Sequence, residues 1–185
     1  MKKFALIGGA LALFAIPAAA NAQAFVQIET GLDFVSADGE SDEGVLYGIS
    51  AGYDMPLSGG MFVGIQGTVA DSTTKECVSD VISAGDKACI KTGRDLAAVV
   101  RLGTTVGDKG KLYVMGGYTN ARLRATYTDG TNSGSDGANG DGFRLGAGYQ
   151  YDLSENLFLK AEYRYSNYES DFSRHNGVVA LGVKF

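Results

Sequence analysis

Apolar and polar residues alternate along most of this chain with a period of two. In the closing stretch NGVVALGVKF, every second residue from Val179 to Phe185 is large and apolar, whereas Ala180, Gly182 and Lys184 lie between them. This period is that of a β-strand, whose successive side chains point to opposite faces. Chain ends are normally polar and frayed. A strand that finishes on phenylalanine therefore predicts that this end is paired and covered.

The same alternation predicts eight strands, each with one consistently apolar face. We expect strands at about 25–35, 45–55, 61–70, 94–106, 111–127, 142–153, 157–166 and from Arg174 onward. The fifth strand is the least regular, because Arg122 and Arg124 continue the phase of its apolar residues.

The connections between these strands alternate in length. Short turns are expected at 56–60, 107–110 and 154–156. Polar loops are expected at about 36–44, 71–93 and 128–141, with a smaller one at 167–173. Alternating short and long connections are typical of up-and-down strands whose two ends face different compartments.

The beginning of the sequence has the pattern of a secretory signal peptide. Two lysines precede an apolar run from Phe4 to Ala20, and a small-x-small triplet closes it at Ala22. We expect cleavage after Ala22, with Ala20 as the second choice, so that 1–22 is the signal peptide and 23–185 the mature domain. A retained transmembrane helix is disfavoured, because the run is short and interrupted by proline.

The charge balance argues against a nucleic-acid-binding protein. The chain has 16 basic and 21 acidic side chains, a formal net charge of −5, and losing the two lysines of the leader makes it −7. Binding to a phosphate backbone requires clustered basic charge. The mature length suits one domain.

Cys77 and Cys89 are the two cysteines of the chain. Two nearby cysteines in an exported protein normally form a disulfide. Closing so short a loop stabilises a fold by about 3 kcal/mol in the chain-entropy account. A redox or metal pair is disfavoured, because the spacing is not CxxC and no histidine is near. We predict a structural disulfide.

Alternation alone leaves open which face of each strand is buried. A soluble sandwich would bury the apolar faces against each other. Three features favour a barrel that turns them to lipid: the export signal, polar faces rich in glycine, which gives room inside a small barrel, and tyrosines near strand ends. Those tyrosines are Tyr47, Tyr53, Tyr149, Tyr151, Tyr163 and Tyr165. We therefore predict an all-β fold, an eight-stranded antiparallel up-and-down transmembrane β-barrel.

The polar faces of such a barrel would line its lumen. Eight strands enclose a space that is just wide enough for side chains to fill it. Several inward charges should pair, because an unpaired charge in a poorly hydrated interior is costly. The predicted lumen charges are Glu29, Asp33, Asp95, Arg101, Arg144, Lys160, Glu162 and Arg164.

Several segments resemble the opacity-type, OmpA-like outer-membrane barrels of Gram-negative bacteria, which also carry a porin-family label. ENLFLKAEYRYSNY and RHNGVVALGVKF resemble the last hairpin of that family, and LYGISAGYDM, LYVMGGYTNARL and FRLGAGYQYDL resemble its internal strands. The resemblance covers essentially the whole mature chain and implies an outer-membrane location. It also implies a recognition signal for the barrel-assembly machinery at Val179, Leu181, Val183 and Phe185. The cysteine loop is not part of the family pattern.

Three functions are compatible with these features. We favour a non-enzymatic, monomeric barrel without a cofactor, in contact with outer-membrane lipid and lipopolysaccharide, whose loops face outward. A narrow diffusion porin is disfavoured by the interior charges and the small barrel size. A lipid-acting enzyme would rest on Asp171, Ser173 and His175, but strand residues two apart are usually too distant for the hydrogen bond that a triad needs.

Two predicted loops gather carboxylates, which raises the possibility of calcium binding. A calcium loop closes with a bidentate glutamate at its twelfth position. Counting from Asp129, that position is Gly140, so the pattern fails. We expect solvated acidic loops, with loose divalent-ion contact at the lipopolysaccharide surface as the alternative. The carboxylates are Asp38, Glu40, Asp42, Glu43, Asp129, Asp136 and Asp141.

Overall fold

The computed structural model describes residues 23–37, 40–79, 86–128, 133–169 and 172–185. The predicted signal peptide lies outside these residues. Within them, no helix is long and apolar enough to cross a bilayer. Apart from a single 3-10 turn at Ser58–Gly60, the regular structure in the described ranges is β-strand.

Nine strands form within the described ranges. They are β1 (Gln23–Ala37), β2 (Glu40–Pro56), β3 (Met61–Ser72), β4 (Lys75–Ser79), β5 (Lys87–Val106), β6 (Gly110–Thr128), β7 (Ser133–Asp152), β8 (Leu157–Tyr168) and β9 (Phe172–Lys184).

Eight of these strands close into a ring. Neighbours along the chain pair in antiparallel fashion, β3 pairs with β5, and β1 pairs with β9 from Phe25↔Lys184 to Ala37↔Phe172. Closure leaves the ring without a free edge, which is the condition for strands to cross a bilayer. The predicted eight-stranded antiparallel up-and-down barrel is confirmed, and the last strand is held by pairing with the first.

The strands extend further than the alternation predicted, so the three long loops are shorter than expected. β2 begins at Glu40, β5 at Lys87 and β7 at Ser133, and the short strand β4 lies inside the predicted loop 71–93. The β6–β7 ladder continues without interruption to Thr128↔Ser133. Backbone hydrogen bonds can extend a hairpin whose residues have no apolar face. Such an extension cannot be predicted from hydrophobic alternation, because the residues concerned do not alternate. About 9–11 residues cross a membrane, so these strands project well beyond it.

The two ends of the ring differ. Short turns joining β2–β3, β5–β6 and β7–β8 lie at one end together with residues 23 and 185, and we call it the turn end. Gly59, Gly60 and Gly107 adopt positive φ angles of 75°, 76° and 65° in these turns, a region that favours glycine. The opposite end, which carries the long hairpins, is called the loop end.

The outside of the ring is apolar and exposed. Ile28, Val114 and Leu181, for example, are 64%, 59% and 44% exposed. A contiguous apolar surface of this extent must be covered by something other than water. Because the barrel is closed and its interior is polar, the lipid of a bilayer can cover the outer surface. Aromatic rings border the belt on the outside, with Tyr47, Tyr118, Phe143 and Tyr163 toward the loop end and Tyr149, Tyr151 and Phe185 toward the turn end. The predicted Tyr53 and Tyr165 are only half-exposed.

Candidate functional site: a charge-filled lumen

The structure places all eight predicted lumen charges inside the ring. Each lies on the inward phase of its strand and is at most 5% exposed. The burial of so many charged groups is costly unless they pair. Three clusters at different heights along the barrel meet that requirement.

The middle cluster is centred on Arg164. Its guanidinium donates to both carboxylate oxygens of Glu29, at 2.6 and 2.8 Å, and its Nε donates to Oε2 of Glu162 at 2.7 Å. Ser50 Oγ donates to Glu29 at 2.7 Å, and the hydroxyl of Tyr113 donates to Glu162. Arg164 therefore bridges β8 and β1. Each of its two carboxylate partners also accepts a hydrogen bond from a hydroxyl group.

The cluster toward the loop end joins four strands through two aspartates. Arg174 donates to Asp33 at 3.0 and 2.6 Å and lies 3.3 Å from Asp95. Arg144 donates to Asp95 at 2.6 Å, and Asn176 Nδ2 donates to Asp33 at 2.8 Å. Sequence reasoning missed Arg174, which was treated only as the start of the last strand. Its phase, shared with Ala180 and Lys184, was the signal that places it inward.

The cluster toward the turn end combines an ion pair with aromatic rings. Arg101 Nη1 lies 3.2 Å from Asp54. The guanidinium carbon lies 4.2 Å from the ring centroid of Tyr113, 5.0 Å from Phe25 and 5.6 Å from Phe62. Arg101 Nε and Nη2 have no hydrogen-bond acceptor among the described side chains, so the ring faces supply their electrostatic environment.

Lys160 links this aromatic layer to the middle cluster. Its ammonium lies 4.6 Å from the Phe25 ring, 3.5 Å from Glu162 and 3.2 Å from Gln66 Oε1. A lysine buried between rings and a carboxylate keeps a partner for its charge on each side. The turn half of the lumen is thus occupied by rings and long cationic side chains.

Inward aromatic residues were also missed from the sequence, because they interrupt the polar phase of their strands. Glycines on neighbouring strands make room for them. A Cβ on Gly148 would lie 2.6 Å from the ring of Tyr113, and one on Gly182 would overlap the ring of Phe158. The repeated glycines of the polar faces were therefore the available signal for large residues packed opposite them.

Of the candidate catalytic residues, the structure describes Ser173 and His175, and no hydrogen bond joins these two side chains. His175 Nδ1 lies 2.6 Å from the Tyr163 hydroxyl, and its ring packs 4.9 Å from that of Tyr165. Ser173 stands opposite Asn167 in the β8–β9 ladder, and Asp171 lies outside the described residues. His175 is thus part of the aromatic border on the outer face.

The acidic segments show no metal centre where the structure describes them, since no group of three potential ligands converges there. Asp38 and Asp129 lie outside the described residues, as does the side chain of Glu40. Asp136 and Asp141 are exposed on β7, and Asn120 Nδ2 donates to Asp141 at 2.6 Å.

Cys77 and Cys89 stand directly opposite each other in the β4–β5 hairpin and form a disulfide. This hairpin lies at the loop end, beyond the ring. We expect labelling of the unreduced, denatured protein with a thiol reagent to find no free cysteine, and labelling after reduction to find both. Labelling of both thiols before reduction would contradict the disulfide.

The residues of the proposed assembly signal lie on the outer face of β9. Val179, Leu181, Val183 and Phe185 are all exposed to the surrounding phase. The backbone amide of Phe185 donates to the carbonyl of Ala24 at 2.9 Å. Pairing with β1 therefore continues to the last residue of β9 and beyond it.

Known proteins resemble this chain both in sequence and in fold. The family described as outer membrane protein beta-barrel domain matches residues 8–185. The 31 kDa outer-membrane immunogenic protein of Brucella melitensis biotype 1 is 29% identical over 164 residues, which cover 77% of this chain and 67% of that protein. The protein of the same name from Brucella suis biovar 1 matches to the same extent.

Two solved structures share the architecture. Ail, the attachment invasion locus protein of Yersinia pestis, crystallised with the heparin analogue sucrose octasulfate, has a TM-score of 0.63 and 15% identity, over 89% of this chain and 99% of Ail. Neisserial surface protein A has a TM-score of 0.57 and 18% identity, over 88% of this chain and 97% of that protein. At these identities the likeness is one of fold.

Proposed function

This chain belongs to the outer membrane protein β-barrel domain family. We propose that it is a non-enzymatic barrel that supports the envelope and presents an extracellular β-layer, formed by the projecting parts of β4–β7. In this family of barrels the short turns face the periplasm and the longer connections face outward. The turn end is accordingly periplasmic and the loop end extracellular. The disulfide hairpin then lies on the cell surface.

The observation that carries the proposal is the filled lumen. Its charges engage one another across the barrel in three clusters, and large rings occupy the turn half. A diffusion pore needs a continuous hydrated path, whereas a barrel of eight strands has room only for its own side chains. These contacts favour a structural barrel over a narrow porin.

The purified protein in planar lipid bilayers should accordingly give no stable open-channel steps. Glu162→Ala is the variant to compare with the wild type. It opens the middle cluster, because it removes the carboxylate that holds Arg164, Lys160 and Tyr113 together. Reproducible ion-selective steps from the wild-type protein that change in Glu162→Ala would support the porin instead.

The non-enzymatic part of the proposal is supported by the outer-face position of His175, whose Nδ1 contacts Tyr163. Activity assays with phospholipid and lipopolysaccharide substrates test it. Hydrolysis or acyl transfer that is lost in His175→Gln would overturn it.

Surface presentation is supported by strand length. β5 and β7 each have 20 residues and β6 has 19, roughly twice what a crossing needs. The similar Brucella protein is named an outer-membrane immunogenic protein, a description that suits a surface-exposed barrel. We propose that the projecting layer of β4–β7 is the contact surface of this chain.

We further propose that β9 is read by the barrel-assembly machinery through Val179, Leu181, Val183 and Phe185. Their exposure on one face supports this role. A Phe185→Ala variant that refolds normally in detergent but inserts poorly in cells is the expected result, and normal insertion would oppose it.

A further inference from the structure

Three basic side chains stand in one row across the extracellular hairpins. Lys75 on β4 is opposite Lys91 on β5, and Lys91 is opposite Arg124 on β6. Directly paired residues of antiparallel strands share a face, so all three point to the same side, and all three are exposed. Like charges placed directly opposite each other destabilise a sheet. The row therefore invites an explanation other than stability.

The row has no acidic counterpart in the described part of the chain. None of its three side chains takes part in an ion pair with a described carboxylate. Arg122 is exposed on the same face of β6, two positions nearer the membrane. Arg94 is exposed beside it on β5 and contacts Asn120 Oδ1 at 3.4 Å. The basic face, defined as Lys75, Lys91, Arg122 and Arg124, thus continues downward toward the lipid belt.

The height of the basic face follows from β6. Leu112, Val114 and Tyr118 are its exposed apolar residues, and Asn120, Arg122 and Arg124 follow on the same face. At 3.4 Å per residue, Arg122 and Arg124 lie about 14 and 20 Å beyond Tyr118 along the strand. A strand tilt of about 40° reduces these distances to roughly 10 and 16 Å along the membrane normal. The basic side chains therefore point sideways at about 10–16 Å above the aromatic border of the belt.

We propose that the basic face binds the phosphate groups of lipopolysaccharide in the outer leaflet. The proposal rests on the outer-membrane location and deepens the surface role proposed above. The face is continuous with the lipid-contacting belt, its charge is opposite to that of the phosphates, and its direction is lateral, toward neighbouring lipid. Phosphates bound between the cations would offset the repulsion within the row.

The disulfide gives this face its geometry. β4 has only five residues and its ladder is to β5 alone, which is marginal for an isolated pairing. Cys77 and Cys89 are two residues from Lys75 and Lys91 on their strands and lie on the same face. Linking them holds Lys75 against Lys91 in spite of their repulsion. The phosphate site and the disulfide are therefore coupled.

Binding of rough lipopolysaccharide to the refolded full-length chain in a neutral detergent tests the proposal. The same lipopolysaccharide after enzymatic dephosphorylation is the ligand control. Lys91→Gln combined with Arg124→Gln should weaken binding about 25-fold, because each cation near such a surface contributes roughly a factor of five. Added salt should weaken wild-type binding and affect the double variant less.

Lys109→Gln is the matched variant control, since it removes an exposed cation from a turn at the opposite end. It should bind as the wild type does. Cys77→Ser combined with Cys89→Ser should lose as much affinity as Lys75→Gln. The heat-dependent shift in electrophoretic mobility reports barrel folding separately, so a folded, non-conducting barrel that binds native and dephosphorylated lipopolysaccharide equally would overturn this inference alone. Tighter binding of a sulfated polysaccharide through the same residues would also overturn it.

Discussion

Replacing Arg164 by methionine should destabilise the barrel by about 3–5 kcal/mol, because it leaves Glu29 and Glu162 buried without their shared partner. The arginine is 1% exposed, so water cannot replace its hydrogen bonds. Lys160, 3.5 Å from Glu162, compensates one of the two carboxylates in part. The measurement is the free energy of unfolding by urea in liposomes or detergent micelles.

A control at an exposed position separates the loss of buried pairing from the chemical change itself. Arg94→Met makes the same chemical change at an exposed position whose described contact is a 3.4 Å hydrogen bond to Asn120, and it should cost no more than about 0.5 kcal/mol. Adding Glu29→Gln to Arg164→Met should recover part of the lost stability, because Glu29 then carries no unpaired charge and Glu162 keeps Lys160 as its charge partner. A small effect of Arg164→Met would mean that the cluster is hydrated, and the filled-lumen argument would fail.

The second large effect is expected at Leu181, where arginine should destabilise by about 2–4 kcal/mol. Leu181 stands between Ile28 and Leu159 on the neighbouring strands. It is also central in the outward apolar series of β9, which runs from Gly177 to Phe185. A charge at this depth meets hydrocarbon, and the energetic cost falls for positions nearer either interface.

Ala180→Ser, one residue earlier, is the control for Leu181→Arg. Ala180 points into the lumen opposite Glu29 and Lys160, where polar neighbours can satisfy a hydroxyl, so it should cost little. Both variants are compared by unfolding in liposomes. Equal tolerance at 180 and 181 would mean that the two faces of β9 are wrongly assigned.

The alternation of residues was enough to predict the eight crossing strands and to separate an apolar from a polar face on each, but not to say which face is buried. Ile28 and Glu29 illustrate the reason: a strand has only two faces, so one apolar and one polar phase leave little choice once the surrounding phase is known. The eight predicted lumen charges followed from that phase alone. The export signal and the aromatic borders then selected lipid over a soluble sandwich.

Which lumen residues meet depended on the tertiary structure. Arg164 and Glu29 are 135 residues apart in the chain, and only ring closure with a definite register brings β8 beside β9 and β1. Tyr113 and Phe158 are large inward residues that the polar faces of their strands did not predict. Their packing depends on glycines of other strands, so it could not be predicted from their own strands.

The hydrophobic pattern did not predict the extracellular layer of β4–β7 either. Outside the membrane no surrounding lipid requires an apolar face, so β7 continues through GSDGANGDG by backbone pairing with β6. The export signal and the short spacing of Cys77 and Cys89 were sufficient to predict their bond. That this bond holds Lys75 beside Lys91 and Arg124 became visible only in the register of three strands, because residues far apart in sequence become neighbours only when the ladder is fixed.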